Sequence, residues 1–245
     1  MPTLHIRLLG DFLLQLDDTP ISMAGLHRLQ TLLSYLVLHC TTPQPRRQVA
    51  FLLWSDHTEG QAHTNLRNLL FRLRKVVPNA DTFLYADDQI LRWRLDSPFT
   101  LDVADFEQAI TLADQTSNND TKRAALEQAV GCYHGDLLPD CFDDWIHPER
   151  ERLKQVFHGA LYQLIRLLER QRDYQTAIAY TQRLLQEDQL KESIHRRLIR
   201  LHALRDSKII NHPGMRLAEC RRTTCLIQAG VRFGLQFRPS PPWST

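Results

Sequence analysis

The hydrophobic period changes twice within the first hundred residues, and the order of those changes limits the fold more than any other feature. Leu4, Ile6 and Leu8 alternate with His5 and Arg7, the two-residue period of a strand. Gly10 breaks the run, and a second strand starts between Phe12 and Leu16. Asp17-Asp18-Thr19-Pro20 then signals a turn before a short strand around Ile21. From Leu26 the spacing becomes helical: Leu26, Leu29, Leu32, Leu33, Leu36 and Val37 predict an amphipathic helix over 26–39. Pro43-Gln44-Pro45 punctuates the chain, and a shorter helix runs through Val49, Leu52 and Leu53 to about Trp54. Residues 55–60 are polar and turn-like. A third helix is predicted from Ala62 to Val77, where Pro78 stops it. Phe83-Leu84-Tyr85, a turn at Asp87-Asp88 and the alternating run Ile90 to Leu95 then predict a hairpin. A small sheet, three helices and a hairpin is the order of a winged helix, with helices two and three as the helix-turn-helix and the hairpin as the wing.

Asp96-Ser97-Pro98 marks the expected domain boundary, after which the pattern is helical to about Arg205. Helices are predicted from Val103 to about Asp114, Lys122 to Tyr133, Pro148 to Gln171, Tyr174 to Gln186 and Leu190 to Leu204. The expected fold class is mainly α with a small β component. Its domains are a winged helix over 1–96, an all-helical domain over 100–205 and a divergent tail over 206–245.

Charge is spread unevenly. Residues 1–100 hold ten basic and nine acidic side chains, whereas residues 101–150 hold three and eleven. A near-neutral first segment excludes a bulk polycation, so any contact with nucleic acid must come from a local stripe. The third helix supplies one. Leu66, Leu69, Leu70, Leu73 and Val77 recur at helical spacing and face the core. Asn65, Asn68, Arg72 and Lys75 are expected on the opposite side, with Arg67 and Arg74 flanking. Arginine pairs with guanine, asparagine with adenine, and lysine with phosphate. Arg46 and Arg47 open the second helix, where they could clamp the backbone, and Arg92 and Arg94 lie on the hairpin. A basic helix face in isolation is more often a solvated surface; here its place in the helix-turn-helix order favours recognition.

No phosphate-binding loop, HExxH or GxSxG is present, and the expectation is a protein that is not an enzyme and carries no cofactor. The five cysteines form no zinc-type spacing and read as reduced, mostly buried thiols. Asp136, Asp140, Asp143 and Asp144 lack the oxygen-ligand spacing of a calcium loop and read as a solvated acidic loop. With no secretion signal and no apolar run of about 18 residues, the expected location is the cytoplasm, with no membrane partner.

Several segments resemble one known family. Leu8-Leu9-Gly10, Val49-Ala50-Phe51-Leu52-Leu53-Trp54 and Leu66-Arg67-Asn68-Leu69-Leu70-Phe71-Arg72-Leu73-Arg74-Lys75 resemble the DNA-binding domain of antibiotic-regulatory-protein (SARP-type) activators, which is related to the OmpR winged helices. Leu101-Asp102-Val103-Ala104-Asp105-Phe106, Gly135-Asp136-Leu137-Leu138, Trp145, Glu149-Arg150-Glu151-Arg152-Leu153 and Asp173-Tyr174 with Ala177-Ile178 resemble the bacterial transcriptional activator domain that follows in that family. The resemblance spans about residues 4–205. It implies double-stranded promoter DNA with direct repeats as one partner, RNA polymerase as another and a tetratricopeptide-like second domain; homodimerisation stays open. The alternative is an interaction scaffold whose winged helix no longer binds DNA. Arg172 replaces the glycine usual at its turn. A repeat of about 34 residues also calls for a further helix near Asp206, which the sequence does not supply. The tail is read as a divergent end or the product of a reading-frame shift, leaving the apolar stripe Ile194, Leu198, Leu201, Leu204 without its expected partner.

Overall fold

The computed structural model describes residues 2–187 and 192–210, in two compact units, Met1–Leu167 and Leu168–Thr245. In the first, β1 (Leu4–Arg7) pairs antiparallel with β2 (Leu13–Leu16), and β3 (Thr19–Pro20) completes the hairpin slightly earlier than the expected strand at Ile21. Helix α1 (His27–Leu38) is buried continuously from Thr31 to Val37, Ser34 included. It is therefore a central helix with cover on both sides and not an amphipathic surface helix.

The short strand β4 (Gln44–Pro45) leads into α2 (Arg46–Leu53). Helix α3 (Glu59–Val76) starts three residues before the expected Ala62 because the Thr58 side chain accepts the Gln61 N–H. Asn79, in the left-handed region at φ 55°, turns the chain into an unexpected single-turn helix, α4 (Ala80–Phe83). The hairpin of β5 (Leu84–Ala86) and β6 (Ile90–Trp93) forms as read, and β4 joins β6 to make a three-stranded wing sheet. Trp93 is buried, with its ring centroid 6.2 Å from that of Phe83 and 5.7 Å from that of Phe99, and so anchors the wing.

Asp96-Ser97-Pro98 leads straight back to the N-terminal sheet. Strand β7 (Phe99–Leu101) pairs parallel with β1, setting Leu4 opposite Phe99 and Ile6 opposite Leu101. Helix α5 (Asp102–Gln115) begins at once, and its first carboxylate accepts the backbone N–H of Leu8 (2.9 Å), Leu9 (2.8 Å) and Val103 (2.8 Å). Burial pushes the Asp102 carboxyl above the usual range, while the three N–H donors pull it down.

Helices α5 and α6 (Asn119–Cys132) pack together, and Tyr133 stacks 4.0 Å from Phe157 on α7 (Ile146–Arg170). The loop before α7 also docks on the sheet. Leu9 bridges Leu137, the Gly10 N–H donates to the Asp136 carbonyl (3.0 Å), and the Leu138 N–H donates to the Leu8 carbonyl (3.0 Å). Gly10 sits at φ +91°, and a Cβ there would stand 3.3 Å from that of His134, so glycine is required twice over. Arg150 donates to the carbonyls of Leu137, Leu138 and Cys141. Arg28 on α1 pairs with Asp143 (3.0 Å), and Trp145 meets Tyr35 edge-on at 5.2 Å. The expected solvated acidic loop is thus partly structural: Asp143 holds α1, and Asp136 accepts from Tyr133 and pairs with Lys154.

In the second unit, α8 (Tyr174–Glu187) packs on α9 (Glu192–Ile210). Ala177, Ile178 and Leu184 are buried on one helix, Ile194 and Leu201 on the other, while Ile199 is 61% exposed. Arg172 takes the glycine role at φ 58°, at a cost of about 1 kcal/mol. Helix α9 continues beyond the expected end at Leu204, and residues 211–245 lie outside the described residues.

Candidate nucleic-acid interface

Helix α3 rests on α1 and α2 through Ala62, Leu66, Leu69, Leu70 and Leu73, all buried. Its opposite side is open: Arg67, Asn68, Phe71, Arg72, Arg74 and Lys75 are exposed, and from Gly60 to the end of the helix no acidic residue occurs. Asn65 is half-buried at the margin of this face.

The ten residues expected at the interface divide by what they touch. The side chains of Arg67, Asn68, Arg72 and Arg92 make no hydrogen bond or ion pair with any described residue. Lys75 places its ammonium 4.5 Å from the Phe71 ring centroid. Other cations are committed. The Arg46 guanidinium donates to the Asp87 carbonyl (2.7 Å) and its backbone N–H to the Gln89 carbonyl (2.8 Å), fastening the wing turn to α2. Arg47 pairs with Glu59 at 3.0 Å, Arg74 with Asp81 at 2.8 Å, and Arg94 lies 5.6 Å over the Tyr85 ring. The Asp87 carboxylate accepts the Ile90 and Gln89 N–H groups, which hold it below the usual carboxylate range and fix the wing turn. Of the ten, the cations without a partner are therefore Arg67 and Arg72 on α3 and Arg92 on β6.

Sequence reasoning overlooked two exposed aromatics, Phe51 on α2 (67% exposed) and Phe71 on α3 (58%). Phe71 was legible, because a helical wheel centred opposite the leucines places it on the open face, about 30° from the centre. A cleft of about 600 Å³ lies between α2 and the start of α3, lined by Arg47, Phe51, Trp54, His57 and His63 among others.

Cys40, Cys132 and Cys141 form no disulfide, and burial pushes each thiol up and keeps it protonated. Among the described residues, no cluster of His, Cys, Asp or Glu is placed to hold a metal ion, and no helix is long and apolar enough to cross a membrane.

Fold and face together define a winged helix whose third helix carries an exposed basic face, followed by a helical domain. Residues 101–208 match the family model of the bacterial transcriptional activator domain. The whole chain is similar in fold to Mycobacterium tuberculosis EmbR, solved in complex with a low affinity phosphopeptide, at a TM-score of 0.68 and 20% identity. That likeness covers 98% of this chain and 63% of the EmbR chain. No curated protein matches the sequence. The matched segment and the fold likeness agree with the resemblance that the sequence motifs carry.

Proposed function

We propose that the protein is a sequence-specific DNA-binding transcriptional regulator, an activator that reads promoter repeats through α3 and the wing. In this reading residues 1–96 supply the DNA contacts, and residues 100–205 form the activator half that engages RNA polymerase. The match of residues 101–208 to the activator-domain family supports the role in transcription.

The observation that carries the DNA-binding part is the open, acid-free face of α3, where Arg67, Asn68 and Arg72 are held out by a leucine-anchored helix with no partner among the described residues. Side chains placed this way keep their full charge and donor capacity for base edges and phosphates.

Selection from random duplex DNA with the full chain tests it. An enriched sequence is expected, with binding that weakens linearly on a log–log salt plot. Two to four neutralised phosphates correspond to a slope of about −2 to −4. A chain that enriches no sequence and shifts no DNA at low salt is a scaffold, and the reading is wrong.

A further inference from the structure

The exposed α3 face carries one large apolar ring, Phe71, among its charges. At 3.6 residues per turn, Arg67 and Lys75 lie about 40° to either side of Phe71, with Asn68 about 60° and Arg72 about 100° round. Lys75 lies within about 20° of the direction opposite the buried leucines, and Phe71 and Asn68 flank that direction at about 30°. Thr64, two turns before Phe71 and about 20° from it, has its O–H proton committed to the Gly60 carbonyl at 2.9 Å. Near the middle of the face stand a ring that is 58% exposed and the Lys75 ammonium over it.

Burying a large ring at the surface normally calls for an apolar partner. The surrounding charge says which kind. Arg67, Asn68, Arg72 and Lys75 encircle the ring with no acid among them, which opposes a basic or neutral protein surface and suits a polyanion. In a DNA major groove the apolar feature on a base edge is the C5-methyl of thymine. Building on the proposed function, we infer that Phe71 reads a thymine methyl at the centre of each half-site, with the flanking cations on neighbouring bases and phosphates. Phe71 then sets specificity, whereas Lys75 holds its ring in place.

Deoxyuridine keeps the pairing and the O4 acceptor of thymine and deletes only the methyl. Each thymine of the site selected by the full chain is replaced singly by deoxyuridine, and affinity is measured for the wild type, Phe71→Ala and Phe71→Leu. The wild type loses about fourfold at one thymine per half-site, the value of one buried methyl. Phe71→Ala binds the unmodified site more weakly and is indifferent to that replacement, and Phe71→Leu lies between. Thermal midpoints stay together, because the ring contributes little to the core. A wild type indifferent to every deoxyuridine, an equal loss in Phe71→Ala, or a marked drop in its thermal midpoint overturns the inference while leaving the DNA-binding reading intact. Failure of the full chain to select any DNA instead removes both.

Discussion

Arg67→Ala combined with Arg72→Ala removes selective DNA binding and leaves the thermal midpoint unchanged. Both side chains are exposed and neither is paired with a described residue, so neither contributes measurably to the fold. Each bidentate arginine–guanine contact contributes about 1–3 kcal/mol of discrimination. Losing two costs about 2–6 kcal/mol, or about thirtyfold at the least. Arg47→Ala and Arg74→Ala cost less, because those guanidinium groups are already engaged with Glu59 and Asp81. Asp143→Ala breaks the pair with Arg28, far from α3 in sequence and role, and leaves affinity unchanged. Fluorescence anisotropy on the selected site separates these outcomes, and equal losses for Arg72→Ala and Asp143→Ala contradict the assignment of α3.

The second large effect is on folding. A chain ended at residue 96 loses cooperative unfolding, whereas one ended at Arg170 keeps it. The shorter chain lacks β7, which pairs with β1, and the Asp102 carboxylate, which receives the Leu8 and Leu9 N–H groups. It also lacks the loop whose backbone bonds Leu8 and Gly10 and whose Trp145 covers Tyr35. Leu4, Leu8 and Leu9 are fully buried in the intact unit. Uncovering each costs about 1.5–3 kcal/mol. Whole-domain stability is only about 5–15 kcal/mol, so several such losses consume it. Thermal and urea melts followed by circular dichroism check this; a sharp two-state transition in the 96-residue chain refutes it. Absence of DNA binding by such a fragment therefore reports unfolding, not the absence of recognition.

Elements with a sustained local period were legible in the sequence, and the order of strands and helices in the first hundred residues came from that period alone. Pairings between distant segments were not. Strand β7 is three residues long and follows Pro98, too short to show alternation, and its partner β1 lies at the other end of the unit. The burial of Thr31 and Ser34 on α1 comes from cover on both sides, whereas a leucine pattern reports only the apolar side. Asp136 and Asp143 looked solvated because Lys154 and Arg28 are far away in the sequence.

At the interface, the leucines fixed which side of α3 is open. Which cations remain unpaired depended on Glu59, Asp81 and the Asp87 carbonyl, whose positions only the fold supplies. The left-handed turn at Arg172 was visible only as a missing glycine, and the extension of α9 to Ile210 was hidden by the weakening apolar period after Leu204.

The central claim is that the polar side of α3 enters a major groove while its leucines hold it to the body of the protein. Dimethyl sulfate footprinting on the selected site tests this directly, because it methylates guanine N7 in the major groove and adenine N3 in the minor groove. Protection of guanine N7 by the wild type, lost with Arg67→Ala and Arg72→Ala together, is the expected result. Bound protein that leaves every guanine N7 reactive, or that protects adenine N3 alone, contradicts it.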